Sequence, residues 1–423
     1  MRAARRMVGA IILEAMNTAF LPSLPLELSY PLLFGVLLVA GMLGGETARH
    51  FRLPRIIGYV VVGFLLAPIA ERMQLGPLID EARIFVDLAL GLVLFDLGRR
   101  MDLTWMRRDW TLAATGLADS ALTFAAVFFT LVALDFDSVK AGLAAAIAIA
   151  TSPAVVLLIS QDLRSEGQVT ARALNLVALN SLLASIISTI LLASAHYELR
   201  FDVDSAVLHP LYLFLGSIAL GAGVASFTRV LARVIDKSKD LHFTLIAGMV
   251  VAAVGIAALL KLSVILALLA FGLFARNAER SHDLLSVDLG RASRLLYIVL
   301  FVITGASLPV AALTSAGMAA LAFVAARALG KIVAVFVIAP FSVLRRWQVV
   351  GLAATLMPMS SLALLLQHDI TRIFPEFGHD LGAVVLGGVL VMELIGPLAV
   401  HYGFKIAGEA APEPQVAPAP AQA

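Results

Sequence analysis

Residues 151–153 read Thr-Ser-Pro and interrupt an apolar run of membrane length, residues 141–159. A second run, residues 349–366, is interrupted about 205 residues later by Met-Pro-Met-Ser at 357–360. A proline inside a helix removes a backbone hydrogen bond, and lipid cannot satisfy the polar groups that the break leaves free. The two prolines therefore predict broken helices whose free backbone faces protein or a water-filled cavity.

The composition is that of a membrane protein. Of all residues, 61% are hydrophobic and 14% are charged, whereas soluble domains contain roughly 25% charged residues. The chain has no cysteine, which excludes disulfides and thiolate metal sites. We find no phosphate loop, no nucleophile motif with a base nearby and no metal-ligand spacing of histidines. We therefore predict no enzyme activity, no cofactor, no metal and no nucleic-acid partner.

We predict an all-α polytopic membrane protein with about thirteen transmembrane helices. One crossing of the bilayer takes about 20 residues, and thirteen apolar stretches reach or approach that length. The predicted spans are residues 28–48, 53–70, 83–98, 110–134, 138–160, 170–195, 208–234, 241–259, 262–276, 294–313, 315–341, 348–367 and 379–403.

The chain divides into three parts. Residues 1–27 are an N-terminal arm, in which the short apolar stretch 7–21 is read as an interfacial helix, with a signal-like segment or a fourteenth span as the alternative. Residues 28–405 form the transmembrane domain. Residues 406–423 are rich in Ala and Pro, and we predict a disordered tail.

The distribution of basic residues predicts the orientation in the membrane. Connections that follow the odd-numbered spans hold most of the Lys and Arg, such as Arg99, Arg100, Arg345 and Arg346, whereas the opposite connections hold few. Basic residues concentrate in cytoplasmic loops. We therefore expect the N-terminus outside and the C-terminus in the cytoplasm.

Three landmarks recur in order along the chain and indicate an inverted repeat. They are Gly-Phe-Leu-Leu-Ala at 63–67 with Gly-Leu-Phe-Ala at 272–275, Leu-Val-Leu-Phe at 92–95 with Ile-Val-Leu-Phe at 298–301, and Pro153 with Pro358. The offsets are 209, 206 and 205 residues. Each pair lies seven spans apart, so the two copies cross the membrane in opposite senses. Such repeats are typical of secondary transporters, whose site lies at the membrane midplane.

Four stretches resemble the cation:proton antiporter superfamily, in its Kef-like and Na⁺/H⁺ exchanger branch. They are Leu-Pro-Arg-Ile-Ile-Gly-Tyr-Val-Val-Val-Gly at 53–63, Gly-Leu-Val-Leu-Phe-Asp-Leu-Gly at 91–98, Ala-Thr-Ser-Pro-Ala-Val-Val at 150–156, and the basic segment 327–331. The resemblance covers residues 28–405. It implies a homodimer made largely through the first span, lying in the lipid bilayer of a bacterial inner membrane. It also implies exchange of Na⁺ or K⁺ for H⁺ by alternating access.

The sequence departs from this family at one position. The span after the first broken helix carries an Asn-Asp, Asp-Asp or Gln-Asp pair in the family, whereas this chain reads Leu-Asn-Ser-Leu at 179–182. The neutral oxygens near the first break remain as candidate ligands for a hard cation. The candidate ion-binding residues are Thr151, Ser152, Asn180 and Ser181.

Five ionisable residues lie within the predicted spans: Asp96, Asp119, Arg327, Lys331 and Glu393. A charge at that depth costs roughly 2.5–3.5 kcal/mol even on insertion scales. The sequence allows two roles for these five residues: proton coupling, or a core network of ion pairs. Lys331 is the leading proton carrier, because burial makes an ammonium give up its proton more readily. We expect it near the crossing, with Asp119 or Glu393 as its partner.

The missing aspartate keeps three functions under consideration. The leading hypothesis is a monovalent cation:proton antiporter. The second is a sensor or assembly subunit that keeps the fold without transport. The third is a transporter of a different solute, drawn by Lys331 and Arg327. The sequence does not distinguish Na⁺ from K⁺ as the transported ion, because both use the same oxygen ligands. It also does not give the stoichiometry.

Overall fold

The computed structural model describes residues 30–72, 76–101, 103–200, 203–235, 238–277, 289–307, 310–359, 361–375 and 380–411. The predicted N-terminal arm lies outside these residues. The helices are α1 (Tyr30–His50), α2 (Arg55–Arg72), α3 (Gly76–Arg100), α4 (Leu103–Arg108), α5 (Trp110–Val132), α6 (Ser138–Ile149), α7 (Pro153–Asp162), α8 (Gln168–Arg200), α9 (Val203–Val234), α10 (Lys239–Leu259), α11 (Val264–Asn277), α12 (Leu289–Ala306), α13 (Val310–Ile338), α14 (Arg346–Thr355), α15 (Ser361–Ile373) and α16 (Asp380–Ala407).

The described part of the chain is helical and contains no strand, which confirms the all-α membrane fold. Within it, eight helical segments are long and apolar enough to cross a membrane, and three shorter apolar helices accompany them. Each predicted span falls on one of the helices, or on a broken pair of them. The count of thirteen crossings stays a prediction, because several of these helices are short or carry charges.

Both predicted helix breaks are present, and they meet. The helix α6 ends at Ile149 and α7 begins at Pro153, while α14 ends at Thr355 and α15 begins at Ser361. The backbone N–H of Ser152 donates to the Pro358 carbonyl over 2.9 Å, which joins the two breaks directly. The first broken segment is enclosed by protein along its apolar length. Its free backbone groups are therefore kept away from lipid, as a broken membrane helix requires.

Close contacts at glycines support the inverted repeat. A Cβ on Gly63 of α2 would lie 2.0 Å from a carbonyl oxygen of α12, and one on Gly305 of α12 would lie 2.3 Å from a carbonyl oxygen of α2. Likewise, a Cβ on Gly98 of α3 would lie 2.3 Å from an oxygen of α11, and one on Gly272 of α11 would lie 2.2 Å from an oxygen of α3. The landmarks equate α2 with α11 and α3 with α12. The repeat therefore relates the contact between α2 and α12 to the contact between α11 and α3.

A third glycine contact brings together the helices that carry the central charges. A Cβ on Gly330 of α13 would lie 2.6 Å from the Cα of Thr123 in α5. Only glycine allows two helix backbones to approach this closely. Asp119 lies one turn before Thr123 and Lys331 directly follows Gly330, so this approach sets the distance between the two charged side chains.

The predicted boundary of the C-terminal tail, at residue 406, is too early. Residues 406 and 407 complete α16, and Glu409 binds the start of α8. Its carboxylate accepts hydrogen bonds from the backbone N–H groups of Val169 and Thr170, both over 2.7 Å. A carboxylate at a helix N-terminus satisfies N–H groups that have no partner within the helix. The rest of the predicted tail, residues 412–423, lies outside the described residues.

Candidate functional site

The helix α5 carries a buried polar face. Thr111, Thr115, Asp119 and Thr123 follow one another at four-residue spacing, and none is more than 6% exposed. Side chains four residues apart lie on the same face of a helix. This face packs against α13, which is the neighbour that α5 contacts most closely. A polar stripe on a membrane helix is thus turned toward the protein interior, where its groups can be satisfied.

Asp119 and Lys331 form a fully buried ion pair. The Lys331 ammonium lies 3.0 Å from the Asp119 carboxylate, and both side chains have no exposed surface. The ammonium also donates to the Ile149 carbonyl, at the end of α6, over 3.1 Å. The sequence left Asp119 and Glu393 as alternative partners, and the structure selects Asp119. The pair connects α5, α13 and the first broken helix.

The Asp119 carboxylate occupies the neighbourhood of the position where the family carries its aspartate. The Asn180 side-chain amide donates to it over 2.6 Å and reaches the Thr151 hydroxyl at 3.4 Å. The Thr123 hydroxyl donates to the other carboxylate oxygen over 3.3 Å. The side-chain oxygen of Asn180 is buried and has no hydrogen-bond partner among the described residues. Residue 181 of α8 is a serine, and the carboxylate that Asn180 binds belongs to α5.

Arg327 holds the crossing together through backbone carbonyls. Its guanidinium donates to four of them: Ala148 at 2.9 Å, Ala150 at 2.8 Å, Met357 at 2.5 Å and Pro358 at 3.2 Å. These carbonyls belong to the broken ends of α6 and α14, which have no partners within their own helices. The planar, five-donor guanidinium suits this task better than a lysine would. The positive charge also stabilises the negative ends of two helix dipoles.

The two predicted serine ligands lie beside the crossing. The Ser181 hydroxyl donates to the Val177 carbonyl of its own helix over 2.7 Å. Ser152 is buried at the first break and contributes its backbone N–H to the contact with Pro358. The structure thus brings Thr151 and Asn180 to the ion pair, while Ser152 and Ser181 lie beside them.

The remaining predicted acids are Asp96 and Glu393. The Asp96 carboxylate binds Arg99 and Arg100, each at 2.9 Å, at the end of α3. Glu393 is fully buried in α16, one turn before a glycine that packs on the second break. Within the described residues, no group of three His, Cys, Asp or Glu side chains could hold a metal ion.

Sequence reasoning missed a second ion pair, at the start of α5. Asp109 accepts hydrogen bonds from the Thr111 backbone N–H and hydroxyl, at 3.1 and 2.5 Å. It also binds the Arg172 guanidinium from α8. Burial raises the pKa of Asp109, but the hydrogen bonds from Thr111 and the charge of Arg172 together hold it below its usual range. The signal available in the sequence was an aspartate directly before a predicted span, which is a typical N-cap.

Comparisons with known proteins agree on the fold. The family described as "Sodium/hydrogen exchanger, transmembrane" matches residues 34–399. Two solved structures of the sodium proton antiporter MjNhaP1 from Methanocaldococcus jannaschii, one at pH 8 and one from electron microscopy, superpose with TM-scores of 0.66 and 0.67. Each is 18% identical, and each match covers 90% of this chain and 98% of the other. No curated protein sequence matches significantly.

Proposed function

Because this chain belongs to the sodium/hydrogen exchanger family of cation:proton antiporters, we propose that it exchanges a monovalent cation for a proton at the Asp119 carboxylate. The observation that carries this assignment is the 3.0 Å contact between that carboxylate and the Lys331 ammonium beside the crossing of the broken helices. Two ionisable groups buried at a membrane midplane require a reason, because their burial is costly. A coupling site supplies that reason.

The geometry supports competition between a cation and the Lys331 proton. Neutral oxygens surround the carboxylate: the Thr151 hydroxyl, the Ile149 carbonyl and the side-chain oxygen of Asn180. These are ligands of the kind that hard cations prefer. A cation bound there would repel the neighbouring ammonium strongly in a low-dielectric interior. Cation binding therefore favours release of the Lys331 proton, and return of the proton favours release of the cation.

Alternating access places this site between the two broken helices. The half-helix ends at the crossing carry partial charges that favour ions. Arg327 already occupies four carbonyls at the crossing, which leaves the Asp119 carboxylate to an incoming cation. The exchange of one positive charge for another at a single carboxylate is then the coupling step.

The partners and the setting follow from the resemblance and from the charges. We infer Na⁺ or K⁺ as the cation, a multi-pass location in a bacterial inner membrane, and a C-terminus in the cytoplasm. A homodimer through α1 is supported by the large apolar side chains that this helix exposes. They are Leu32, Val36, Val39, Met42 and Leu43.

Exchange is tested in proteoliposomes that contain a pH-sensitive dye and an imposed pH gradient. Addition of Na⁺, K⁺ or Li⁺ between pH 6 and pH 9 should dissipate the gradient for the wild type. Asp119→Asn and Lys331→Gln should abolish this signal. Asp96→Asn is the matched control, because it removes another buried carboxylate whose partners lie at the end of α3.

The outcomes separate the candidate functions. A wild type that never responds to any of the three cations would refute exchange and favour a protein that keeps the fold without transport. Normal proton-coupled exchange in Lys331→Gln would remove Lys331 from the mechanism while leaving antiport intact.

A further inference from the structure

A broad depression opens where α5 begins. Two adjoining cavities of about 600 and 760 Å³ share Trp105, Arg108, Asp109 and Val343 in their walls. We refer to them together as the vestibule. They lie within the bundle that holds the ion pair, between α5, α8 and the segment after α13. By the distribution of basic residues, this is the cytoplasmic end of the protein.

The vestibule ends at the ion pair of Asp109 and Arg172. The Arg172 guanidinium binds the Asp109 carboxylate, lies 5.7 Å from the centre of the Trp105 ring, and donates to the Thr111 hydroxyl over 3.3 Å. Only 3% of Arg172 is exposed. Thr111 lines the vestibule, and Arg172 stands between the vestibule and Thr115, the next residue on the polar face of α5.

A small cavity lies behind Arg172, on the side nearer Asp119. Its volume is about 10 Å³, and its walls include Thr115 and Arg172, with apolar side chains of α8, α13 and α14. A volume of this size accommodates about one water molecule. The Nε of Arg172 is buried and has no hydrogen-bond partner among the described residues. The Thr115 hydroxyl donates to the Thr111 carbonyl over 2.6 Å, which leaves its oxygen free to accept.

We propose that this cavity binds a water held by the Arg172 Nε–H, and that Thr111, Thr115 and this water form a proton path from the vestibule to Asp119, inside the helix bundle. The path rests on the proposed function, because it supplies protons to the Asp119–Lys331 pair. Thr115 lies one turn from Asp119, a rise of about 6 Å, which one bound water can bridge. A hydroxyl both donates and accepts, so each threonine can pass a proton on without changing its own charge.

The size of the cavity decides what moves along this path. A hydrated Na⁺ or K⁺ is much larger than one water molecule, and a bare cation would meet the positive guanidinium of Arg172. Protons need only a chain of hydrogen bonds, and they cross it when the Asp109–Arg172 pair opens. The cation and the proton therefore reach Asp119 by different routes.

The first test uses Thr115→Val, which keeps the side-chain shape and removes the hydroxyl. Thr228→Val is the matched control, because Thr228 is also buried and also donates to the carbonyl four residues earlier, in α9. In proteoliposomes, Thr115→Val should lower the exchange rate at saturating cation at least about tenfold, since a positioned proton-transfer group contributes typically 10²–10⁴-fold. The cation concentration for half-maximal rate should stay unchanged.

The second test reads access without transport. The chain has no cysteine, so Thr115→Cys can be labelled alone with the small neutral reagent methyl methanethiosulfonate, which needs the space that Arg172 fills. Asp109→Asn should raise the labelling rate severalfold by releasing Arg172, whereas Thr228→Cys should not react in either background.

Wild-type exchange in Thr115→Val, or labelling that is unaffected by Asp109→Asn, would overturn the proton path. If Thr115→Cys labels as expected but the wild type does not exchange, the proposed function is refuted and the water-accessible cavity stands. The two failures are thus distinguishable.

Discussion

Removing one member of the Asp119–Lys331 pair should destabilise the protein far more than removing both. In Asp119→Asn, the Lys331 ammonium stays fully buried and keeps the Ile149 carbonyl as its hydrogen-bond acceptor. In Lys331→Met, the carboxylate keeps neutral donors from Thr123 and Asn180 only. Breaking a buried pair in this way costs about 3–5 kcal/mol, whereas replacing both partners by uncharged groups is often nearly neutral.

Thermal unfolding in detergent measures this difference. With about 2 °C per kcal/mol, the lower end of the range for larger domains, each single variant should melt about 6–10 °C below the wild type. Asp119→Asn combined with Lys331→Met should melt within about 2 °C of it. Asp96→Asn is the control, and it should shift the melting temperature little because both its arginine partners reach solvent.

Additivity would refute this reasoning. If the double variant melts lower than either single variant, by the sum of their two shifts, the charges are not coupled and the 3.0 Å contact has no energetic meaning. None of the three variants should recover proton-coupled exchange. A stable double variant without exchange would separate the role of the pair in coupling from its role in folding.

Three further predictions concern the surrounding structure. Arg327→Gln removes donors from the carbonyls at the crossing, at about 1–3 kcal/mol for each one left unsatisfied, so it should lower the melting temperature and abolish exchange. Gly98→Ala places a Cβ 2.3 Å from a backbone oxygen of α11 and should cost about 1–3 kcal/mol, whereas Gly223→Ala, with nothing within 4 Å, should be tolerated. Because the pKa of Asp109 is depressed on folding, its contribution to stability is present above the unfolded value of about 3.9. It is lost as the pH falls through the folded value, so Arg172→Gln should weaken this acid sensitivity in melts between pH 7 and pH 3.

The fold could be predicted because its decisive residues act locally. A proline removes a helix hydrogen bond, and Pro153 and Pro358 stand at the two breaks, although Pro68, Pro210 and Pro397 lie inside continuous helices. Two of the repeat landmarks begin at Gly63 and Gly272, and both glycines lie at close helix contacts in the structure, as do Gly98 and Gly305. The C-terminal boundary was wrong because Glu409 is held by α8, far away in the sequence, and no local pattern reports such a contact.

The site could be predicted only in part. The sequence listed Asp119 and Lys331 among five intramembrane charges, since burial of a charge is costly wherever it occurs. It did not give the pairing, because the pairing depends on how closely α5 and α13 approach at Gly330. It also did not give the partners of Arg327, because its acceptors are backbone carbonyls. Every residue has such a carbonyl, so no residue type marks them.

The position of the ion pair explains how a site can serve both sides of the membrane after the aspartate of α8 is lost. Asp119 and Lys331 are 212 residues apart, which differs from the repeat offsets by less than two turns of helix. The two charges therefore lie on α5 and α13 within one to two helix turns of the places that the repeat relates. Alternating access in an inverted repeat exchanges the conformations of the two halves, and the ion pair joins one helix of each half. We propose that the acid on α5 takes the place of one on α8, because coupling requires a carboxylate beside the crossing, whichever helix carries it.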